Sequence, residues 1–252
     1  MPQIKTNKKY DFLVTFGCSF TSGHVLGDDG AWGHFLAKRL NCKHINQGGG
    51  ACNPNISTSV INFCEHNDMS NACVGIQWSE ATRRELWQEF RQQYWTIGLG
   101  TLMDKDLWEK ESSKTFLQPI RDNLDFFSGV YFDLRENILR SVLAMIHVKS
   151  YLTAKNIDFI QFEGINSILD IEGHDTSSPA GPCTLLKLTN SKIKNDLLND
   201  KTFFSELGNL NTWMRNIPNW DSSLNDGHPY PEILNLYVDH MYEHIKRFEN
   251  ID

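Results

Sequence analysis

The segment Phe16-Gly17-Cys18-Ser19-Phe20-Thr21-Ser22-Gly23 follows the apolar run Asp11-Phe12-Leu13-Val14-Thr15. A short hydrophobic strand that ends in a glycine-flanked serine sets a hydroxyl at the carboxyl edge of a sheet, where open α/β folds build their sites. Near the other end of the chain, Asn225-Asp226-Gly227-His228-Pro229 offers a carboxylate and an imidazole just ahead of a last helical segment. A serine hydroxyl becomes a nucleophile beside a base, and the base needs an acceptor that fixes its orientation. Ser19, Asp226 and His228 are therefore candidates for a catalytic triad in the chain order Ser, Asp, His. Taken one at a time, each has a plainer reading. Ser19 also fits a helix cap, Asp226-Gly227 a turn, and His228 a solvent-facing loop histidine.

The elements that must join these two ends are legible from periodicity. A strand over 11–16 is followed by a helix over 31–40, where Trp32, Phe35, Leu36 and Leu40 recur at helical spacing. A second strand over 43–46 runs into Gly48-Gly49-Gly50, and Asn53-Pro54 opens a helix that holds Ile56, Val60, Ile61 and Phe63. A buried strand over 72–78 completes a βαβαβ alternation, which predicts a parallel sheet with right-handed crossovers. A long amphipathic helix over 132–154, a fourth strand over 157–162 and a closing helix over 231–248 restore the rhythm. The last of these carries Ile233, Leu234, Tyr237, Met241 and Ile245 on one side. Between 79 and 130 the alternation stops, over a length too great for an ordinary connection. That stretch predicts a helical cap inserted at about 80–130 into a single domain, 1–252. Trp87, Phe90 and Tyr94 would form the buried face of the cap, and stacking on a sugar is the other reading of its aromatics. A second irregular segment spans 163–225.

Together these motifs resemble the SGNH/GDSL hydrolases. Gly17-Cys18-Ser19-Phe20-Thr21-Ser22-Gly23 is similar to that family's first block, a Gly-Asp-Ser turn carrying the nucleophile, with Cys18 at the usual aspartate position. Asn46-Gln47-Gly48-Gly49-Gly50 is similar to the second block, whose glycine lends a backbone N–H to an oxyanion hole, and Asp226 and His228 are similar to the last. The resemblance implies a flavodoxin-like three-layer α/β/α fold with a parallel sheet, ester hydrolysis without a cofactor, and backbone N–H donors at Ser19 and Gly50 for the oxyanion. Two departures stand out. The third block usually reads Gly-x-Asn-Asp, whereas this chain has Gly75-Ile76-Gln77-Trp78-Ser79-Glu80, which leaves Gln77, Ser79 and Asn53 as alternative side-chain donors. The last block usually spaces Asp and His by three residues, a position held here by Asn225. Asp226 is preferred because a carboxylate stabilises an imidazolium far better than an amide does. Just past the third strand, Arg83 or Arg84 can bind an acidic substrate group or form surface ion pairs.

Composition narrows the class. A chain of 252 residues with 40% hydrophobic content can bury a sizeable core. Its formal charge of −7, without a run of Lys or Arg, disfavours a nucleic-acid partner. The first ten residues are polar, and no segment reaches the roughly 18 apolar residues of a membrane span. The expectation is a soluble, cytoplasmic protein, virion-associated if of phage origin. The six cysteines show no Cys-x-x-Cys spacing, and His24, His34 and His44 lack paired spacing, so no metal is expected and the thiols read as free and mostly buried. Gly48-Gly49-Gly50 lacks the Lys and Ser/Thr of a phosphate loop. The function these readings favour is removal of an acyl group such as acetyl from a carbohydrate or another small polar acceptor. Two alternatives stay open: a non-catalytic binding or structural module of the same fold, as in a phage particle that handles host glycans, and an acyltransferase using the same nucleophile.

Overall fold

The computed structural model describes residues 3–24, 26–88, 93–97, 122, 134–165, 192–218 and 228–249. Strand β1 (Phe12–Gly17) lies between β2 (Lys43–Gly48) and β3 (Ala72–Trp78), and β6 (Asp158–Glu163) pairs with the far side of β3. All three pairings are parallel, with Leu13 opposite His44 and Cys73, and Val74 opposite Phe159. The order β2-β1-β3-β6 is that of a flavodoxin-like sheet, whose topological switch point falls between β1 and β3. Ser19 follows β1 directly at that point.

The period of two along the strands sorts side chains into two cores. Leu13, Cys73, Ile160 and Phe162 face one side, where they meet α2 (Trp32–Arg39) and α7 (Pro231–Glu249). Val14, Phe16, Val74, Ile76 and Phe159 face the other, against α3 (Asn53–His66) and α4 (Leu134–Ala154). The result is the three-layer α/β/α sandwich that the sequence predicts. β3 is buried at all seven positions because it is covered on both faces, which is why it reads as an unbroken apolar run. Pro54 sits in the first turn of α3, where its missing N–H costs nothing. The α2–α7 contact is tied by Arg39, which donates to Asp239 Oδ1 at 2.6 Å and to Asn235 Oδ1 at 3.1 Å. Short helices α5 (Lys192–Leu198) and α6 (Leu210–Arg215) precede α7.

One expectation is overturned. Residues 84–88 and 93–97, expected in a helix, form an antiparallel pair of strands, β4 (Arg84–Gln88) and β5 (Gln93–Ile97), with Trp87 opposite Tyr94. Tyr94, Trp95, Thr96 and Ile97 are consecutive strand-favouring residues, and this local preference outweighs the i, i+3, i+7 coincidence of Trp87, Phe90 and Tyr94. The rest of the expected cap, including Phe90, Trp108, Phe116, Phe126 and Phe127, lies outside the described residues, as does most of the second irregular segment. The five described cysteines, Cys18, Cys42, Cys52, Cys64 and Cys73, are free thiols, all buried except the half-buried Cys42. Among the described residues, no helix is long and apolar enough to cross a membrane, and no group of three or more His, Cys, Asp or Glu could hold a metal ion.

Candidate active site

The turn after β1 is built by close packing. A Cβ at Gly17 would lie 2.8 Å from the Gln77 carbonyl oxygen and 2.9 Å from Gln77 Cβ, with Thr21 Oγ1 nearer still, so β1 and β3 meet at a distance only glycine permits. Cys18 caps the one-turn helix α1 (Ser19–Ser22), and its carbonyl accepts from the N–H groups of Thr21 at 2.9 Å and Ser22 at 3.1 Å. Gly23 ends the helix at φ 65°, a left-handed conformation, and a Cβ there would run into Gly27. Thr21 pins the turn from beneath: its hydroxyl donates to Gln77 Oε1 and accepts from Trp32 Nε1 at 3.1 Å. All three of these side chains are fully buried, while Ser19 above them is half-exposed.

The second block closes over the same turn. Gly48 pairs with Gly17, the Gly49 N–H donates to the Gly17 carbonyl at 2.9 Å, and a Cβ on Gly48 would meet Ser22 N at 2.5 Å. Asn46 Oδ1 accepts from the Gly48 N–H at 2.9 Å and holds the bend. Gly50 is exposed, with open space where a side chain would stand.

From the other end of the chain, His228 arrives ahead of α7. Its ring centroid lies 5.1 Å from that of Phe20 and 5.0 Å from that of His24. The histidine therefore sits against α1 and the turn that follows it, at the carboxyl edge of the sheet. Asp226 lies outside the described residues. His24, whose sequence pattern carries no signal beyond its type, is a neighbour of the site that sequence reasoning set aside.

The candidate donors of the third block are mostly committed elsewhere. Asn53 is 1% exposed. Its Nδ2 donates to the Ser79 carbonyl at 3.0 Å and to Ser141 Oγ at 2.9 Å, while its Oδ1 accepts from the Ser79 N–H at 2.7 Å. It clamps the end of β3 to α3 and α4. Gln77 is fully buried, bonded to Thr21 and packed where a Gly164 side chain would otherwise stand. Ser79 is also fully buried, with its hydroxyl beside the Cys18 thiol. Burial pushes that thiol up, and the nearby Arg83 guanidinium, which pulls the other way, does not offset it, so Cys18 is a neutral packing group. Arg83 makes a 3.0 Å ion pair with Glu80, and Arg84 a 3.2 Å pair with Glu136 on α4.

No family model matches this sequence, and neither does any curated protein. Solved structures do resemble the fold. A psychrotrophic esterase from Pseudoalteromonas sp., in a structure inhibited by monoethylphosphonate, is 13% identical with a TM-score of 0.50, over 95% of this chain and 99% of that one. An acetyl xylan esterase from the rumen bacterium Butyrivibrio proteoclasticus is also 13% identical at a TM-score of 0.50, over 96% of this chain and 65% of that one. A lipolytic protein of the G-D-S-L family from Desulfitobacterium hafniense has 13% identity and a TM-score of 0.45, over 93% of this chain and 99% of that one. The chain has the α/β/α fold of the SGNH/GDSL hydrolases.

Proposed function

We propose that this chain is a serine esterase that removes a small acyl group, such as acetyl, from a carbohydrate or another small polar acceptor. The observation that carries the reading is the contact of the His228 ring with Phe20 and His24, which joins the C-terminal histidine to the turn bearing Ser19. In the mechanism, Ser19 Oγ attacks the ester carbonyl carbon while the His228 imidazole takes the hydroxyl proton. The carbonyl π electrons move to oxygen, and backbone N–H groups of Ser19 and Gly50 stabilise that oxyanion. As the tetrahedral intermediate collapses, the bond to the alcohol oxygen breaks and the imidazolium gives its proton to the leaving alcohol. Water, deprotonated by the same imidazole, then cleaves the acyl-enzyme and releases the acid. Asp226 orients the imidazole and stabilises its charged form. The exposure of Gly50 and the half-exposure of Ser19 support these roles, since a substrate carbonyl must reach both.

A specific observation also supports a second reading, a non-catalytic module of the same fold. The side chains at the third block, Gln77 and Ser79, are fully buried, and Asn53 uses its amide inside the fold. An oxyanion hole with backbone donors alone would be weaker by one donor, and such a loss costs about 10²–10³ in kcat. The test is turnover of p-nitrophenyl acetate and of acetylated sugars by the wild type, Ser19→Ala and His228→Ala. The esterase reading expects both variants to lose at least about 10³-fold in kcat while staying folded. Equal rates in all three proteins, or none in any, favour the non-catalytic module.

A further inference from the structure

A cavity of about 790 Å³ lies between the start of α3, the segment after β3 and α4 as far as His147. We infer that this cavity is the subsite for the alcohol half of the substrate, and that it takes a neutral, hydroxyl-rich group of mono- or disaccharide size. The inference deepens the esterase reading and rests on it for the word substrate, while the binding itself does not depend on catalysis.

The first argument is position. The cavity is lined by Cys52, two residues beyond Gly50, and by Arg83, whose charge acts on the thiol of Ser19's neighbour Cys18, so its lining adjoins both the second block and the nucleophile turn. The volume falls within the roughly 300–1,000 Å³ of ordinary small-ligand sites.

The second argument is Asn137. It lines the cavity and is 2% exposed, yet neither its Nδ2 nor its Oδ1 has a hydrogen-bond partner among the described residues. Buried amides are nearly always satisfied, because leaving one unpaired is costly. The neighbouring polar groups are already engaged: Ser141 Oγ donates to the Asn137 backbone carbonyl at 2.8 Å and accepts from Asn53. The side-chain amide, with two donors and an acceptor, is left to the cavity. Adjacent sugar hydroxyls, each a donor and an acceptor, match it.

The third argument is charge. Arg83, Arg84 and Arg140 line the cavity, but Arg83 is paired with Glu80, and Arg84 and Arg140 both lie against Glu136, at 3.2 and 3.5 Å. Glu85 stands on the same wall, its carboxyl pushed up by burial. An anionic ligand would meet these carboxylates, whereas neutral hydroxyls can donate to them and accept from the guanidinium N–H groups. Pro54, Ala81 and Ala144 supply apolar surface for the C–H faces of a ring.

The test uses a panel of neutral sugars (xylose, glucose, N-acetylglucosamine, xylobiose and cellobiose) and saturation-transfer NMR, with wild type, Ser19→Ala, Asn137→Leu and Thr58→Trp. At least one sugar should bind wild type and Ser19→Ala alike, and Asn137→Leu should weaken it about tenfold or more. Asn137→Leu should melt no lower than wild type, because it removes an unsatisfied buried amide, whereas a purely structural asparagine would be missed. Thr58→Trp acts from an exposed position on the cavity wall and should block the same sugar, so the proposal remains testable if Asn137→Leu fails to fold. The ratio of kcat/KM on an acetylated sugar to that on p-nitrophenyl acetate should fall about tenfold in Asn137→Leu. Failure of every sugar to bind wild type, or undiminished binding by both cavity variants, overturns the subsite. Sugar binding without ester turnover would leave the subsite standing and remove the esterase reading instead.

Discussion

Thr21→Val tests how the nucleophile turn is held. The substitution is close to isosteric, so it opens no large cavity, but it deletes the hydroxyl that donates to Gln77 Oε1 and accepts from Trp32 Nε1 at 3.1 Å. Thr21, Trp32 and Gln77 are each fully buried, so water cannot replace the lost partner. Two orphaned polar atoms at about 1–3 kcal/mol each put the loss at about 2–6 kcal/mol, a large share of a total stability of about 5–15 kcal/mol. Gln77 has no compensating bond to offer, because its Nε2 already lacks a partner. Thr21→Ser keeps the hydroxyl and removes one methyl, at a cost of about 1 kcal/mol. Urea unfolding should therefore show the valine variant at least 1 kcal/mol below the serine variant, a midpoint difference of about 0.5 M for a slope of about 2 kcal/mol/M. Because α1 carries Ser19, ester turnover should also fall in the valine variant under conditions where it is still folded. Valine and serine variants of equal stability would refute the view that this hydroxyl is the pin of the turn.

Gly17→Ala should cost about 1–3 kcal/mol and more in turnover than in stability, because the new Cβ meets Gln77 backbone oxygen at 2.8 Å and can be accommodated only by moving the turn; a variant with wild-type melting and kinetics contradicts that. Burial, with His34 adding to it and Asp28 opposing, pushes the His44 imidazole down to about 4, while the unfolded chain titrates near 6.5. Between those values the unfolded state binds a proton that the folded state does not, so stability is full above pH 6.5 and falls as the pH drops towards 4, by about 2 kcal/mol once partial exposure is allowed for. Urea midpoints at pH 7.5 and 4.5 measure this, and His44→Gln should flatten the difference. Iodoacetamide at pH 8 should modify the half-buried Cys42 before any other described cysteine, since a hydrogen bond from the Cys73 thiol holds Cys42 below its usual range, while burial holds the Cys18 thiol up; early modification of Cys18 on peptide mapping would contradict the packing assigned to it.

The layer architecture was legible because its signals are local and repeated. Alternation along β1 and β3, the Pro54 start of α3 and the one-sided face of α7 each follow from side-chain direction. The β4–β5 pair was not, because Trp87 and Tyr94 satisfy a helical and a strand pattern alike, and only strand pairing decides between them. Motif order leads to the expectation that Ser19 and His228 converge, whereas the packing of the His228 ring against Phe20 and His24 depends on how α7 docks and has no sequence signal. The engagement of Asn53 with Ser79 and Ser141 joins residues from α3, the end of β3 and α4, and no sequence spacing encodes such a three-way contact. Asn137 was invisible for the same reason: inside a helical sequence it reads as an ordinary polar position, and only packing leaves its amide facing a cavity.

Covalent labelling tests the central claim most directly. Wild-type protein treated with a fluorophosphonate should gain one adduct per chain by intact mass, and peptide mapping should place it on Ser19. The labelling rate should collapse in His228→Ala, because the serine then has no base to take its proton. An adduct on another residue, unaffected by the His228 substitution, or complete inertness of the folded wild type, would contradict the assignment of Ser19 as an activated nucleophile.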